Sequence, residues 1–326
     1  MGILLNKSKN YIINGAMDFW QRGTSFAAIA ANTYNADRFA YSKTGAMVHT
    51  LTRDADVPTF AQSGFIFPFS LRLALTTPDT SLAAGEFCIL RHKIEGQIFA
   101  PLSNKIMTLS FWVKATIAGT YSVSMRNAAQ DRSLVKSFTI LAADTWEKKS
   151  LTIQHDNSGT WLYDNGSGLD ISWTVAAASN LSTASDGVWI AGNFIGLTGQ
   201  LNGVNTGSTN FRIAGVQLEE GSSASNFERA GGMVINEHTL CKRYYQFLNV
   251  YRRRINGSTM FDGADIVPMR VYPTLSGGSI TDNGTLVLNA ITPTVVGYSD
   301  SLYLNGTVVA TSGGVHQVVG NLDSEL

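Results

Sequence analysis

The sequence predicts an all-β protein: a sandwich or barrel over residues 34–229, a short linker helix within 230–248, and a small antiparallel β module over 249–326. Three observations predict it. Short runs rich in apolar and β-branched residues recur along 34–229, separated by Gly, Asn, Asp, Pro and Ser turns. Helical spacing is absent there and appears only after Gly231-Gly232. Asn-Gly pairs, which favour hairpins because both turn positions need positive φ, punctuate the last stretch.

Residues 1–33 read as an attachment arm. Its tip, Ile3-Leu4-Leu5, is apolar in a polar leader and calls for docking on a partner or on the body. Asn14-Gly15 marks a turn. Met17, Phe19 and Trp20 then supply area suited either to a plug over the sheet core or to an anchor in a socket. Strands are expected over Phe39–Leu51, Phe65–Leu75, Phe87–Ile94, Thr108–Ala115, Thr120–Arg126, Ser137–Leu141, Lys148–Gln154, Leu169–Val175, Val188–Ile195 and Phe211–Leu218. Leu109, Phe111 and Val113 take one face of their strand, and Ser110, Trp112 and Lys114 the other. Tyr121, Val123 and Met125 alternate with Ser122, Ser124 and Arg126 in the same way. Glu219-Glu220-Gly221-Ser222-Ser223 ends the body, and Phe227 pins the chain back. Ile235, Thr239, Leu240, Arg243, Tyr244 and Phe247 recur at helical intervals and predict a helix of about three turns. Beyond it, hairpins are expected at Asp282-Asn283-Gly284, Asn305-Gly306 and Asn256-Gly257. So small a module, lean in large aliphatics, is marginal alone and gains from burial against other copies.

Composition removes several classes. Net charge is zero and 15% of residues are charged, which argues against a nucleic-acid or anionic-membrane surface. The one basic run, Arg252-Arg253-Arg254, reads as a solvated corner. Cys88 and Cys241 are far apart and are expected to be buried free thiols. No run approaches the ~20 apolar residues of a membrane span. The leader lacks the basic and apolar regions of a secretion signal, so synthesis in the cytosol is expected. No enzyme and no cofactor are expected. Cys88 and His92 share a strand face but have no third partner. Glu219 and Glu220 diverge as neighbours, whereas glycosidase acids face each other across a cleft. Asp54, Asp56 and Glu86 are acids of the kind that hold calcium. Nothing in their spacing fixes a ligand shell, so solvated loop acids and no metal are expected.

Four sets of motifs resemble those of bacteriophage virion proteins, fibres and receptor-binding proteins among them. They are Asn10-Tyr-Ile-Ile-Asn-Gly-Ala-Met-Asp-Phe-Trp-Gln-Arg-Gly-Thr24 with Ala36-Asp37-Arg38-Phe39; Lys93-Ile-Glu-Gly96; Thr108-Leu-Ser-Phe-Trp-Val-Lys114; and Gly215-Val-Gln-Leu-Glu-x-Gly221 with Phe227-Glu228-Arg229 and Leu240-Cys-Lys-Arg-Tyr-Tyr245. The resemblance spans roughly residues 10–247 and implies a jelly roll similar to carbohydrate-binding modules. It also implies a homotrimer on the virion surface, held to other virion proteins through the N-terminal arm and bound to host surface polysaccharide. In such modules an indole stacks on a sugar ring while polar side chains bond its hydroxyls. Trp112, Lys114, Arg126, Trp189 and Asn193 are the candidate contacts, and Trp161 reads as a loop buttress. The alternative is a structural head-fibre or decoration protein without sugar binding.

Overall fold

In the computed structural model the apolar faces read from strand alternation meet as the core between two antiparallel sheets. The structure describes residues 8–253, 262–265, 269, 274–282, 285–288, 301–304 and 315–326. The chain divides into two compact units, with the division after Glu237.

Ten long strands, joined by several of two or three residues, build the first unit: β1 (Phe39–Thr44), β2 (Val48–Asp54), β3 (Ser70–Thr77), β4 (Phe87–Glu95), β5 (Ile106–Ala115), β6 (Gly119–Arg126), β7 (Arg132–Ile140), β8 (Glu147–Gln154), β9 (Ser167–Ala177) and β10 (Asn210–Glu220). One sheet runs Ser25–Phe26, β2, β3, β10, β5, β8. The other runs Trp189–Ala191, β7, β6, β9, β4, β1, Thr33–Tyr34. Leu109, Phe111 and Val113 of β5 meet Tyr121, Val123 and Met125 of β6 and Trp173 of β9 between the sheets. The Phe111 and Trp173 rings meet edge to face, 5.8 Å apart.

Some elements differ from expectation for local reasons. The run Phe39–Leu51 splits at Gly45, whose φ of 106° turns the chain from one sheet into the other. The expected strand Phe65–Leu75 begins only at Ser70, because Phe65 and Phe67 fold back as a loop over the six-stranded sheet. Val188–Ile195 shortens to Trp189–Ala191.

The attachment arm expected over residues 1–33 is corrected: from Ser8 onward it belongs to the body. Ile12, Met17, Trp20 and Ile29 are buried in the core. The segment is laced to β10. Tyr11 N–H donates to the Leu218 carbonyl, and Val216 N–H donates to the Gly15 carbonyl, both at 2.9 Å. β10 is bulged there. Its pairing with β5 slips between Ala214 and Gln217, and Gly215 takes φ 57°. Gly15 sits so close to the Val216 carbonyl that a Cβ would overlap it. The tip Ile3-Leu4-Leu5 lies outside the described residues.

In the second unit, Tyr245–Arg253, Val315–Asp323, Thr274–Asp282 and Thr285–Leu288 form an antiparallel sheet in that order. Asp262–Asp265 pairs with Ser301–Leu304. The turns at Asn256-Gly257, Asn283-Gly284 and Asn305-Gly306 and the residue Arg254 lie outside the described residues. The helix is shorter than expected, Val234–Lys242. Tyr245 and Phe247 open a strand instead, in keeping with the β preference of an aromatic-rich run. Cys88 and Cys241 are buried free thiols.

Three buried titratable groups make the first unit pH-sensitive. Burial, with Lys43 nearby, lowers the His49 pKa to about 4. Burial, with Arg38 nearby, lowers that of His92 to about 3. Both fold neutral. Their contribution to stability is full above the ordinary imidazole value of 6.5 and is lost as pH falls through the folded values. Burial raises the Glu237 carboxyl to about 7, so its contribution is full below the ordinary 4.5 and is lost as pH rises through 7. The melting temperature should therefore fall on acidification from pH 6.5 towards 4.5, and Glu237→Gln should steepen that fall by removing the opposing group. Thermal melts across this window check it; a slope unchanged by the substitution would contradict the assignment.

Candidate functional site

β5 and β6 lie in different sheets. Trp112 and Arg126, both on outward faces, therefore sit on opposite sides of the sandwich. The platform expected from Trp112 with Ser122, Ser124 and Arg126 does not form. Trp112 is 8% exposed and packs with Ala16, Phe67, Trp146 and Ala214 under the 57–69 loop and Phe227. Lys114 Nζ donates to Asp56 Oδ2 at 2.8 Å, and Trp146 Nε1 donates to Asp56 Oδ1 at 2.9 Å. Burial works against ionisation of Asp56, but Lys114, Trp146 and Arg212 hold its pKa below the usual range. Asp54 pairs with Arg212 at 3.1 Å, and Glu86 accepts the Ala83 N–H at 2.6 Å. The three acids weighed for calcium thus serve ion pairs and a turn.

On the opposite face, Arg126 is 4% exposed. It donates to Asn193 Oδ1 at 2.8 Å and to Asp170 at 3.3 Å, and Asp170 also pairs with Arg91. The chain between 178 and 203 lies over this face. Ser122 Oγ donates to Gln200 at 2.6 Å, and Thr174 Oγ1 donates to the Ile195 carbonyl at 2.5 Å. Asn193 is exposed, but its Oδ1 is engaged by Arg126. Trp189 is half-buried, and its Nε1 donates to the Gln154 carbonyl at 2.8 Å. Of the five candidate contacts, Trp112, Lys114 and Arg126 hold the structure together, and Trp189 packs edge to face on Trp161 at 5.3 Å. Arg126 and Asn193 are hydrogen-bonded to each other.

An open groove of about 630 Å³ lies instead at one end of the sandwich. The 155–166 loop between β8 and β9 forms it together with Ser103 and Asn104, just before β5. Tyr163 is 44% exposed at this groove, and its hydroxyl shares a 2.8 Å hydrogen bond with Ser103 Oγ. Trp161 is buried and buttresses the loop: its Nε1 donates to the Ser158 carbonyl at 2.9 Å, and His155 packs on it at 4.5 Å. Asn104 N–H donates to His155 Nδ1 at 3.2 Å, which that nitrogen accepts only in the neutral ring, and burial lowers the His155 pKa against the pull of nearby Asp156. Asn127 Nδ2 donates to the Thr160 carbonyl at 3.1 Å, and Arg132 Nε donates to Asp156 Oδ2 at 2.6 Å. Gly159, at φ 79°, packs on the Arg132 stem. The loop is therefore tied down before any ligand arrives. It offers one half-exposed aromatic ring beside Ser103, Asn104, Asn157 and Thr160, a combination suited to stacking on a sugar face while bonding its hydroxyls. The sequence signal for it was faint: Trp161-Leu-Tyr163 set in a polar turn-rich stretch.

No protein-family model matches the sequence, and no curated protein does. Solved structures do. The enzymatically active domain of bacteriophage CBA120 tailspike protein 4 matches at 14% identity and TM-score 0.33, over 60% of this chain and 21% of that one. The family 11 carbohydrate-binding module from Clostridium thermocellum, in complex with a β-1,3-1,4-mixed-linked tetrasaccharide, matches at 9% and 0.30, over 62% and 98%. TmCBM61, in complex with β-1,4-galactotriose, matches at 9% and 0.31, over 66% and 100%. The chain spans about a fifth of the length of the tailspike domain.

Trp112→Ala should destabilise the first unit by about 3–5 kcal/mol, as expected for emptying a packed indole site. Denaturant unfolding measures it. A loss below about 1 kcal/mol would show that the indole is not part of the packed cluster.

Proposed function

We propose that this protein is a bacteriophage virion surface protein, a trimeric fibre or tail-tip adhesin that holds host surface saccharide in the groove at Tyr163. The observation that carries this reading is the groove itself: an exposed tyrosine face at the rim, polar side chains around it, and a buttressed loop beneath. The motif resemblance to virion proteins supports the setting. Attachment to other virion proteins falls to the stretch before Ser8, since the rest of the expected arm is body. Trimer formation is supported by Met233, Val234 and Ile235, three consecutive exposed apolar residues where the helix begins.

Stacking on one tyrosine with a few hydroxyl contacts gives weak binding per site. Three copies raise avidity by about 10²–10⁴ where host sites are reached together. Tyr163→Ala should lower adsorption to host cells at least about tenfold, and more on the trimer than on a single copy, with the melting curve unchanged. Adsorption left intact would favour the structural head-fibre or decoration reading.

Light scattering should give a trimer for the full chain and a smaller species for the triple substitution Met233→Ser, Val234→Ser, Ile235→Ser. A trimer that survives the substitutions places the subunit contacts elsewhere.

A further inference from the structure

Charge at the groove says more about what it admits. Among the described residues, its lining includes no lysine or arginine. The single carboxylate among them, Asp156, is engaged at Oδ2 by Arg132 at 2.6 Å and at Oδ1 by the Ser158 N–H at 3.0 Å. His155 is neutral for the reasons given above. The cations close by in the chain are committed: Arg132 to Asp156, and Lys105 to Glu220 at 2.7 Å. Asp164, next to Tyr163, and Asp131, next to Arg132, are exposed acids. A ligand carboxylate or phosphate arriving here would meet no lysine or arginine among the described lining residues, whereas anion recognition in proteins relies on arginine or lysine. The amides of Asn104 and Asn157 and the hydroxyl of Thr160 offer donors and acceptors together, which suits the vicinal hydroxyls of an uncharged sugar.

We propose that the groove is selective for neutral hexose saccharides and excludes anionic ones, those bearing uronate, sialate, sulfate or phosphate. This rests on the reading of the groove as a saccharide site. Selectivity comes from the absence of a cation rather than from any one contact. Binding is therefore insensitive to ionic strength, because no ion pair is screened. Asn157, exposed at the rim, is a position where a single change alters the selection.

The test is calorimetric titration of the full chain with two probe sets, neutral glucose-, galactose- and mannose-based oligosaccharides and uronate-containing oligosaccharides, at low and high salt. The expected result is binding confined to the neutral set, equal at both salt concentrations, and lost in Tyr163→Ala. Asn157→Lys should weaken neutral binding at most a few-fold and bring uronate binding at least about tenfold above wild type in low salt. Uronate binding by the wild-type chain that is lost in Tyr163→Ala would overturn the selectivity while leaving the saccharide site standing. Binding unaffected by Tyr163→Ala, or no binding from either set, would overturn the groove as the site and the selectivity with it.

Discussion

The seam between the residues around Asn10 and strand β10 is the constraint on which the sandwich depends. Asn10 places one side chain across three backbone segments. Its Nδ2 donates to the carbonyls of Val216 at 3.1 Å and Glu228 at 2.9 Å, while its Oδ1 accepts from Ile12 N–H at 2.9 Å and Leu218 N–H at 3.1 Å. A bulged strand leaves backbone groups without ladder partners, and the bulge at Gly215 is where Gly15 and Asn10 supply them. Asp18 then grips Arg229 with two hydrogen bonds of 2.7 and 2.9 Å, and Glu237 accepts the N–H groups of Asn14 and Gly231. Motifs more than two hundred residues apart in the sequence are thus one piece of structure.

Alternation legible in the sequence located nearly every strand, because a face buried between sheets forces period two on its residues. It could not say which strands share a sheet. β5 and β6 each read as apolar on one side and polar on the other, and that pattern is the same whether two strands pair or face each other across a core. They face each other, and Trp112 and Arg126 part company. Nor does alternation tell an outward face that meets water from one that is roofed. The run Phe65–Phe69 has a strand's composition but covers Trp112. The segment from 178 to 203 has few apolar runs, yet covers Arg126. The Tyr163 groove is not legible in the sequence for a related reason: it is built from loop residues, where neither period nor propensity carries information about three-dimensional neighbours.

Roofing both sheets has an electrostatic side. Asp170, buried between Arg91 and Arg126, and Asp56, held by Lys114 and Trp146, are polar clusters that would be a liability if half-satisfied. Burial opposes the ionised form of Asp170, and the two arginines keep its pKa below the ordinary value. These clusters fix how each roof seats on its sheet, and they take up charged side chains that would otherwise face solvent.

The seam also determines how the sandwich bears a mechanical load. Ser8 Oγ donates to the Arg229 carbonyl at 2.6 Å, so the segment that enters the sandwich and the segment that leaves it lie side by side. Tension applied at those two segments is met first by the bonds of Ser8 and Asp18 to Arg229, which join them directly, before it reaches the seam with β10 and the ladders of the sheets.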